Sequence, residues 1–105
     1  MSSDKTGQTI QDALAVVRQK IDGIDSTILE LLNQRAQCAR EVGEIKARFG
    51  DDGFIYRPER EAQVLRRLQE SNQGPLPDET ITRLFREVMS ACLALEQPIG
   101  VAFLG

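Results

Sequence analysis

The sequence of 105 residues lacks histidine and tryptophan, and it contains only two cysteines. Without histidine beside them, Cys38 and Cys92 form neither a metal site nor a disulfide framework, so we interpret both as free thiols in a reducing compartment. Residues 1–11 are polar, and no later apolar run is long enough to span a membrane. We therefore expect no signal peptide, no membrane partner and a cytoplasmic protein.

Aromatic residues are also scarce, and the chain has no net positive charge. Aromatics make up 5% of the chain within an apolar content of 41%, which is typical of a helical bundle filled by aliphatic side chains. The 13 basic and 16 acidic residues give a net charge of -3. Because a net-negative surface does not attract nucleic acid, we expect no nucleic-acid partner, and any functional cations must be local.

An apolar heptad repeat dominates the first half of the chain. A helix of about 38 residues rises roughly 57 Å, whereas a compact domain of this size has a radius of gyration of about 13 Å. The helix therefore needs a second helix from the same or another chain, and the one charged seam residue needs an anionic partner. The seam positions are Leu14, Val17, Ile21, Ile24, Ile28, Leu31, Arg35, Cys38, Val42, Ile45 and Phe49.

Helix-breaking residues predict three helices per chain, one of them very long, in an all-α fold. We expect residues 1–11 to be disordered, Asp12 to cap the long helix, and that helix to end near Gly50. Pro58 suits the first turn of a second helix, which is predicted to end about Ser71.

The third helix is predicted to open at Pro77-Asp78-Glu79 and to stop at Pro98. Residues 98–105 then form a short apolar, β-like run. This run is either the beginning of a following domain or a tail that packs on the bundle.

Helical register decides which charges face inward. Arg35 and Lys46 are eleven residues apart, close to three full turns, so they lie within about 20° of each other on the helix and should face one cavity. Arg18 lies roughly 25 Å along the helix from Arg35, too far to share a site within one chain. In an antiparallel dimer, the partner's Arg18 would reach it.

The other two helices add further charges to this cavity. The second helix contributes Glu61, which leans toward the apolar face, with Arg57 and Arg60 on its first turn. The third contributes Glu96 at the end of its apolar stripe. A bundle cavity with several cations and two carboxylates suits a small dianion whose carboxylates are held by guanidinium groups.

Each residue also has a simpler interpretation. An arginine in a heptad seam, such as Arg35, often sets the register of a coiled coil, and Arg18 or Arg57 alone suits a solvated surface. Glu61 is well placed as an acid in a helix first turn, and Cys92 as a small core residue. Only the combination of residues on three helices favours a functional site.

The combination resembles the all-helical chorismate mutase family, in particular the amino-terminal mutase domain of bifunctional chorismate mutase/prephenate dehydratase proteins. The resemblance covers about Leu14 to Gln97, within a mutase domain that we place at residues 12–97. It rests on Arg18, Arg35, Val42-Gly43-Glu44-Ile45-Lys46, Arg60-Glu61 and Ile81-Thr82-Arg83-Leu84-Phe85. The run Gly100 to Gly105 is similar to the first strand of the dehydratase domain.

The resemblance implies an intertwined homodimer with shared active sites that converts chorismate to prephenate in phenylalanine and tyrosine biosynthesis, without a cofactor or metal. Arg18 of one subunit and Arg35 of the other would hold the two carboxylates of the substrate. The other implied contacts are Lys46 to a carboxylate and the ether oxygen, Glu61 to the ring hydroxyl, Val42 and Met89 to the ring faces, and Arg60 in support.

Three residues depart from the best-known enteric member of the family. Arg57 replaces an aspartate, Cys92 replaces a serine near a substrate carboxylate, and Glu96 replaces a glutamine beside the ether oxygen, as in fungal chorismate mutases. We expect Glu96 to join Lys46, Arg35 and Arg18 as a catalytic residue and to change the pH behaviour. Two alternatives stay open, an isochorismate-pyruvate lyase of the same fold and a non-catalytic helical dimerisation or regulatory module.

Overall fold

The structure, a computed structural model, describes parts of the chain that are helical except for the end of the first helix at residue 49 and a turn at residues 72–77. These parts are residues 2–49 and 58–96, with side chains from residue 9 onward. They contain no strand, which confirms the predicted all-α class. The helices are α1 (Ser2–Arg48), α2 (Pro58–Ser71) and α3 (Asp78–Leu93), followed by the short 3-10 helix η1 (Ala94–Glu96).

The start of α1 differs from the prediction. The helix begins at Ser2, so Asp12 is not its cap, and residues 2–11, which we expected to be disordered, belong to the helix. This segment has no proline and a single glycine, Gly7, and a helix that is nucleated in the heptad region extends through such residues at little cost. The end is as predicted, because α1 stops at Arg48 and the Phe49 amide donates to the Ile45 carbonyl at 3.0 Å.

The chain divides into two compact units, residues 1–33 and residues 34–105. In the first unit the apolar seam lies open along the helix. The seam has six large side chains in this unit, and each exposes 44–58% of its surface: Leu14, Val17, Ile21, Ile24, Ile28 and Leu31. None of the helices in the described part of the chain is both long and apolar enough to cross a membrane.

The second unit has a small core. Its buried apolar side chains come from three helices, with Ala39 from α1, Val64 and Leu65 from α2, and Cys92 from α3. The observed range of α2 agrees with the predicted one, because Pro58 is compatible with the first turn, where a missing N–H costs no helical hydrogen bond. These helices enclose the site described below.

The turn between α2 and α3 is organised by Asn72. Its side-chain oxygen accepts from the Gly74 amide at 3.1 Å, and its Nδ2 donates to the Leu76 carbonyl at 2.8 Å and to Asp78 Oδ1 at 2.7 Å. Helix α3 then opens with the Thr80 amide donating to the Pro77 carbonyl at 3.0 Å. The tail at residues 98–105 lies outside the described residues.

Candidate active site

The second unit contains a cavity of about 820 Å³ between α1, α2, α3 and η1. This volume is in the range of sites that bind small molecules. Seven of the ten predicted site residues line it: Arg35, Val42, Lys46, Arg60, Glu61, Met89 and Glu96. The structure therefore brings together residues that are up to 61 positions apart in the sequence, from Arg35 to Glu96.

The other three predicted residues lie elsewhere. Arg18 is exposed in the first unit, and Arg57 falls outside the described residues. Cys92 is buried in the core, with 5% of its surface exposed, and it is not part of the cavity lining. The small thiol packs into the core instead, as free cysteines commonly do. The interpretation of Cys92 as a core residue fits this burial better than a substrate contact.

An ion pair joins two sides of the cavity. Lys46 Nζ lies 3.4 Å from Glu96 Oε1, and the two side chains expose 18% and 27% of their surface. This partial burial weakens solvent screening, so the pair is held more firmly than one on the open surface. The pair sets a cation and a carboxylate side by side at one point of the cavity wall.

The cavity carries an excess of positive charge, although the whole chain is net negative. Its lining includes five cationic and three acidic side chains. Sequence reasoning missed Arg67 and Arg86, of which Arg86 Nε lies 4.0 Å from Glu61 Oε1. Arg67 could have been found from the sequence, because it lies seven residues, or two helical turns, after Arg60 and so on the same face of the helix. A site of this kind favours a small anion with an apolar body, because Val42, Phe85 and Leu93 also line it.

Gly43 lies within the sequence motif around Lys46, where the residue pattern gave it no role of its own. It is buried in α1, and a Cβ atom at this position would lie 2.8 Å from the carbonyl oxygen of Glu96. Glycine in a helix interior costs about 1 kcal/mol relative to alanine, so a central glycine is itself a signal of close backbone packing. Here that packing is with η1, the element that carries Glu96.

The helical architecture and the cation-rich cavity together define a small all-α protein with a site for an organic anion. The chain belongs to the chorismate mutase type II family, whose model matches residues 17–97. The resemblance found from the sequence is thereby confirmed.

Individual relatives agree with this assignment. The chain is 57% identical over 98 residues to the bifunctional chorismate mutase/prephenate dehydratase of Neisseria gonorrhoeae, and the match covers 93% of this chain and 26% of that protein. The chain thus spans about a quarter of the length of the bifunctional relatives it matches.

Solved structures show the same fold. Chorismate mutase (form II) from Thermus thermophilus superposes with a TM-score of 0.72 at 36% identity, covering 79% of this chain and 92% of that one. Chorismate mutase from Helicobacter pylori in complex with prephenate gives a TM-score of 0.71 at 28% identity, covering 81% of this chain and 90% of that one.

Proposed function

We propose that residues 12–97 form a chorismate mutase domain, which rearranges chorismate to prephenate in the synthesis of phenylalanine and tyrosine. The observation that carries this proposal is the Lys46–Glu96 pair on the wall of a cation-rich cavity with apolar faces. A relative of the same fold that binds prephenate supports it. Membership of the chorismate mutase type II family supports it as well.

The reaction is an intramolecular rearrangement in which the ether carbon–oxygen bond breaks while a new carbon–carbon bond forms in the same molecule. It needs no nucleophile, no cofactor and no net gain or loss of a proton. The protein must therefore hold a flexible dianion in its compact reactive conformer and stabilise negative charge on the breaking ether oxygen.

The residues divide these two tasks. Arg35 and Arg18 of the partner subunit hold the carboxylates as bidentate guanidinium groups and so select the conformer. Lys46 donates a hydrogen bond to the ether oxygen, where charge develops in the transition state, and Glu96 beside it holds the ammonium group in place. The remaining contacts are those of Glu61 with the ring hydroxyl and of Val42 and Met89 with the ring faces, supported by Arg60.

We also propose that two chains form an intertwined homodimer. The first unit leaves six seam side chains about half exposed, and each Leu, Ile or Val gains roughly 1.5–3 kcal/mol when it passes from full exposure to full burial. A second copy of the same seam is the surface that matches a heptad repeat. Sedimentation at micromolar concentration should give twice the chain mass, whereas a folded and active monomer would contradict the dimer.

We place the protein in the cytoplasm. Both of its cysteines, Cys38 and Cys92, are free thiols, and Cys38 is exposed in the chain. An exposed thiol persists in a reducing compartment. Fractionation of cells that produce the protein would test this location, and recovery in an oxidising compartment would contradict it.

The activity is tested by following chorismate loss and prephenate formation with the purified protein. Isochorismate is assayed in parallel, because release of pyruvate from it without mutase turnover would favour the lyase alternative. The variant Arg35→Leu distinguishes the hypothesis of an enzyme from that of a non-catalytic dimerisation module. It should abolish turnover by a mutase, whereas it would only stabilise a simple coiled coil, because it replaces the one charged residue of an apolar seam.

A further inference from the structure

Gly43 and Glu96 make an unusually close contact between α1 and η1. A Cβ atom at Gly43 would lie 2.8 Å from the Glu96 carbonyl oxygen, 3.0 Å from its carbonyl carbon and 3.2 Å from its Cα. All three are backbone atoms, so no side-chain rotation relieves the overlap. Any residue larger than glycine at position 43 must push the two backbones apart.

This contact lies next to the ion pair of the active site. Lys46 follows Gly43 by three residues, so it occupies the same face of α1 about one turn further along. The Glu96 backbone rests against that face, and its carboxylate reaches Lys46 Nζ at 3.4 Å. The separation of α1 and η1 at Gly43 therefore sets the distance between the two groups.

We propose that Gly43 is a positioning residue, which holds the Glu96 carboxylate beside Lys46 and so keeps the Lys46 ammonium group aimed at the ether oxygen. This inference rests on the proposed mutase function. Catalytic groups that are displaced by about 1 Å lose on the order of 10²-fold in rate. The substrate carboxylates are bound by arginines elsewhere in the site. Displacing Lys46 and Glu96 should therefore lower kcat more than it raises KM.

The chain provides a matched control in the same helix. Gly23 is also a helical glycine of α1, but a Cβ atom there meets nothing within 4 Å. Its heptad position lies off the apolar seam, two residues after Ile21. Gly23→Ala should keep kcat and raise the Tm slightly, because alanine is the better helix former. Gly43→Ala should lower kcat about 10- to 100-fold, with KM changed less than about threefold.

A double-mutant cycle shows whether Gly43 acts through Glu96. In the Glu96→Ala background, Gly43→Ala should have little further effect on kcat, because the group that it positions is gone. Equal losses in both backgrounds would overturn the proposal, and so would a Gly43→Ala protein that retains wild-type kcat. A Gly43→Ala chain that fails to fold would make Gly43 a general packing residue and would overturn it too.

A crystal structure of Gly43→Ala tests the geometry independently of turnover. The distance between Lys46 Nζ and the Glu96 carboxylate, 3.4 Å in the wild type, should lengthen beyond the roughly 4 Å limit of an ion pair. An unchanged distance would overturn the inference. If the wild-type chain showed no mutase activity, the proposed function would fail, and this structure would still decide whether Gly43 sets the pair.

Discussion

At the scale of single residues, Lys46 has the clearest energetic role. It lies in a partly buried ion pair, and in the proposed mechanism its charge is aimed at an oxygen that becomes negative only in the transition state. Lys46→Ala should therefore lower kcat by about 10² to 10³-fold. Arg48→Ala is the matched control, because it removes an exposed charge from the same last turn of α1. A Lys46→Ala enzyme with wild-type kcat would contradict the assigned site.

Glu96 gives a prediction about the ion pair. Its carboxylate lies 3.4 Å from Lys46 Nζ, so its removal should leave the ammonium group less well placed for the ether oxygen. Glu96→Ala should therefore lower kcat, whereas Glu96→Gln keeps an oxygen that accepts from Lys46 and should lower it less. Glu59→Gln, an exposed change in the first turn of α2, is the control. A Glu96→Ala enzyme with wild-type kcat would contradict this role of Glu96.

The spacing of residues in the sequence predicted where the charges on α1 lie. It did not predict how the side chains around them pack. Arg35 and Lys46 share a cavity because their spacing is nearly a whole number of turns, which the sequence alone reveals. The contact of Gly43 with Glu96 joins segments 53 positions apart, and no local pattern specifies such a contact. Cys92 lies in the core for the same reason, because small side chains are placed by their tertiary neighbours.

At the scale of elements, the turn from α2 to α3 depends on one side chain. Asn72 makes hydrogen bonds to Gly74, Leu76 and Asp78, and a net contribution of about 0.5–1.5 kcal/mol is typical of each bond. Asn72→Ala should destabilise the protein by about 1–2 kcal/mol and lower its Tm, with kcat unchanged, when both proteins are melted at one concentration. Gln73→Ala, at the exposed neighbour, is the control. Equal Tm values for the two variants would contradict this role.

Proline residues predicted where the helices begin, and polar composition did so less well. Pro58 predicted the start of α2, and Pro77 precedes α3, because a proline ring fits the beginning of a helix but not its interior. The polar residues before Asp12 predicted disorder, yet the helix continues through residues 2–11. Polar side chains do not break a helix when a long neighbouring segment has already nucleated it.

At the scale of the whole molecule, the proposed active site depends on the proposed dimer. The length of the heptad repeat predicts a partner chain, and the open seam of the first unit supports one. If the long helices of two chains lie antiparallel, each active site takes Arg18 from one chain and Lys46 from the other. Arg18→Ala and Lys46→Ala should then each inactivate a homodimer, although they change different ends of one helix.

Mixing these two variants is the most direct test of that claim. Equal amounts of Arg18→Ala and Lys46→Ala chains, unfolded and refolded together, should form heterodimers as about half of all dimers if pairing is random. Each heterodimer has one intact site and one doubly altered site, so the mixture should recover about a quarter of the wild-type mutase activity. The two variants refolded separately and then combined should stay inactive. A co-refolded mixture without activity would contradict active sites shared between chains.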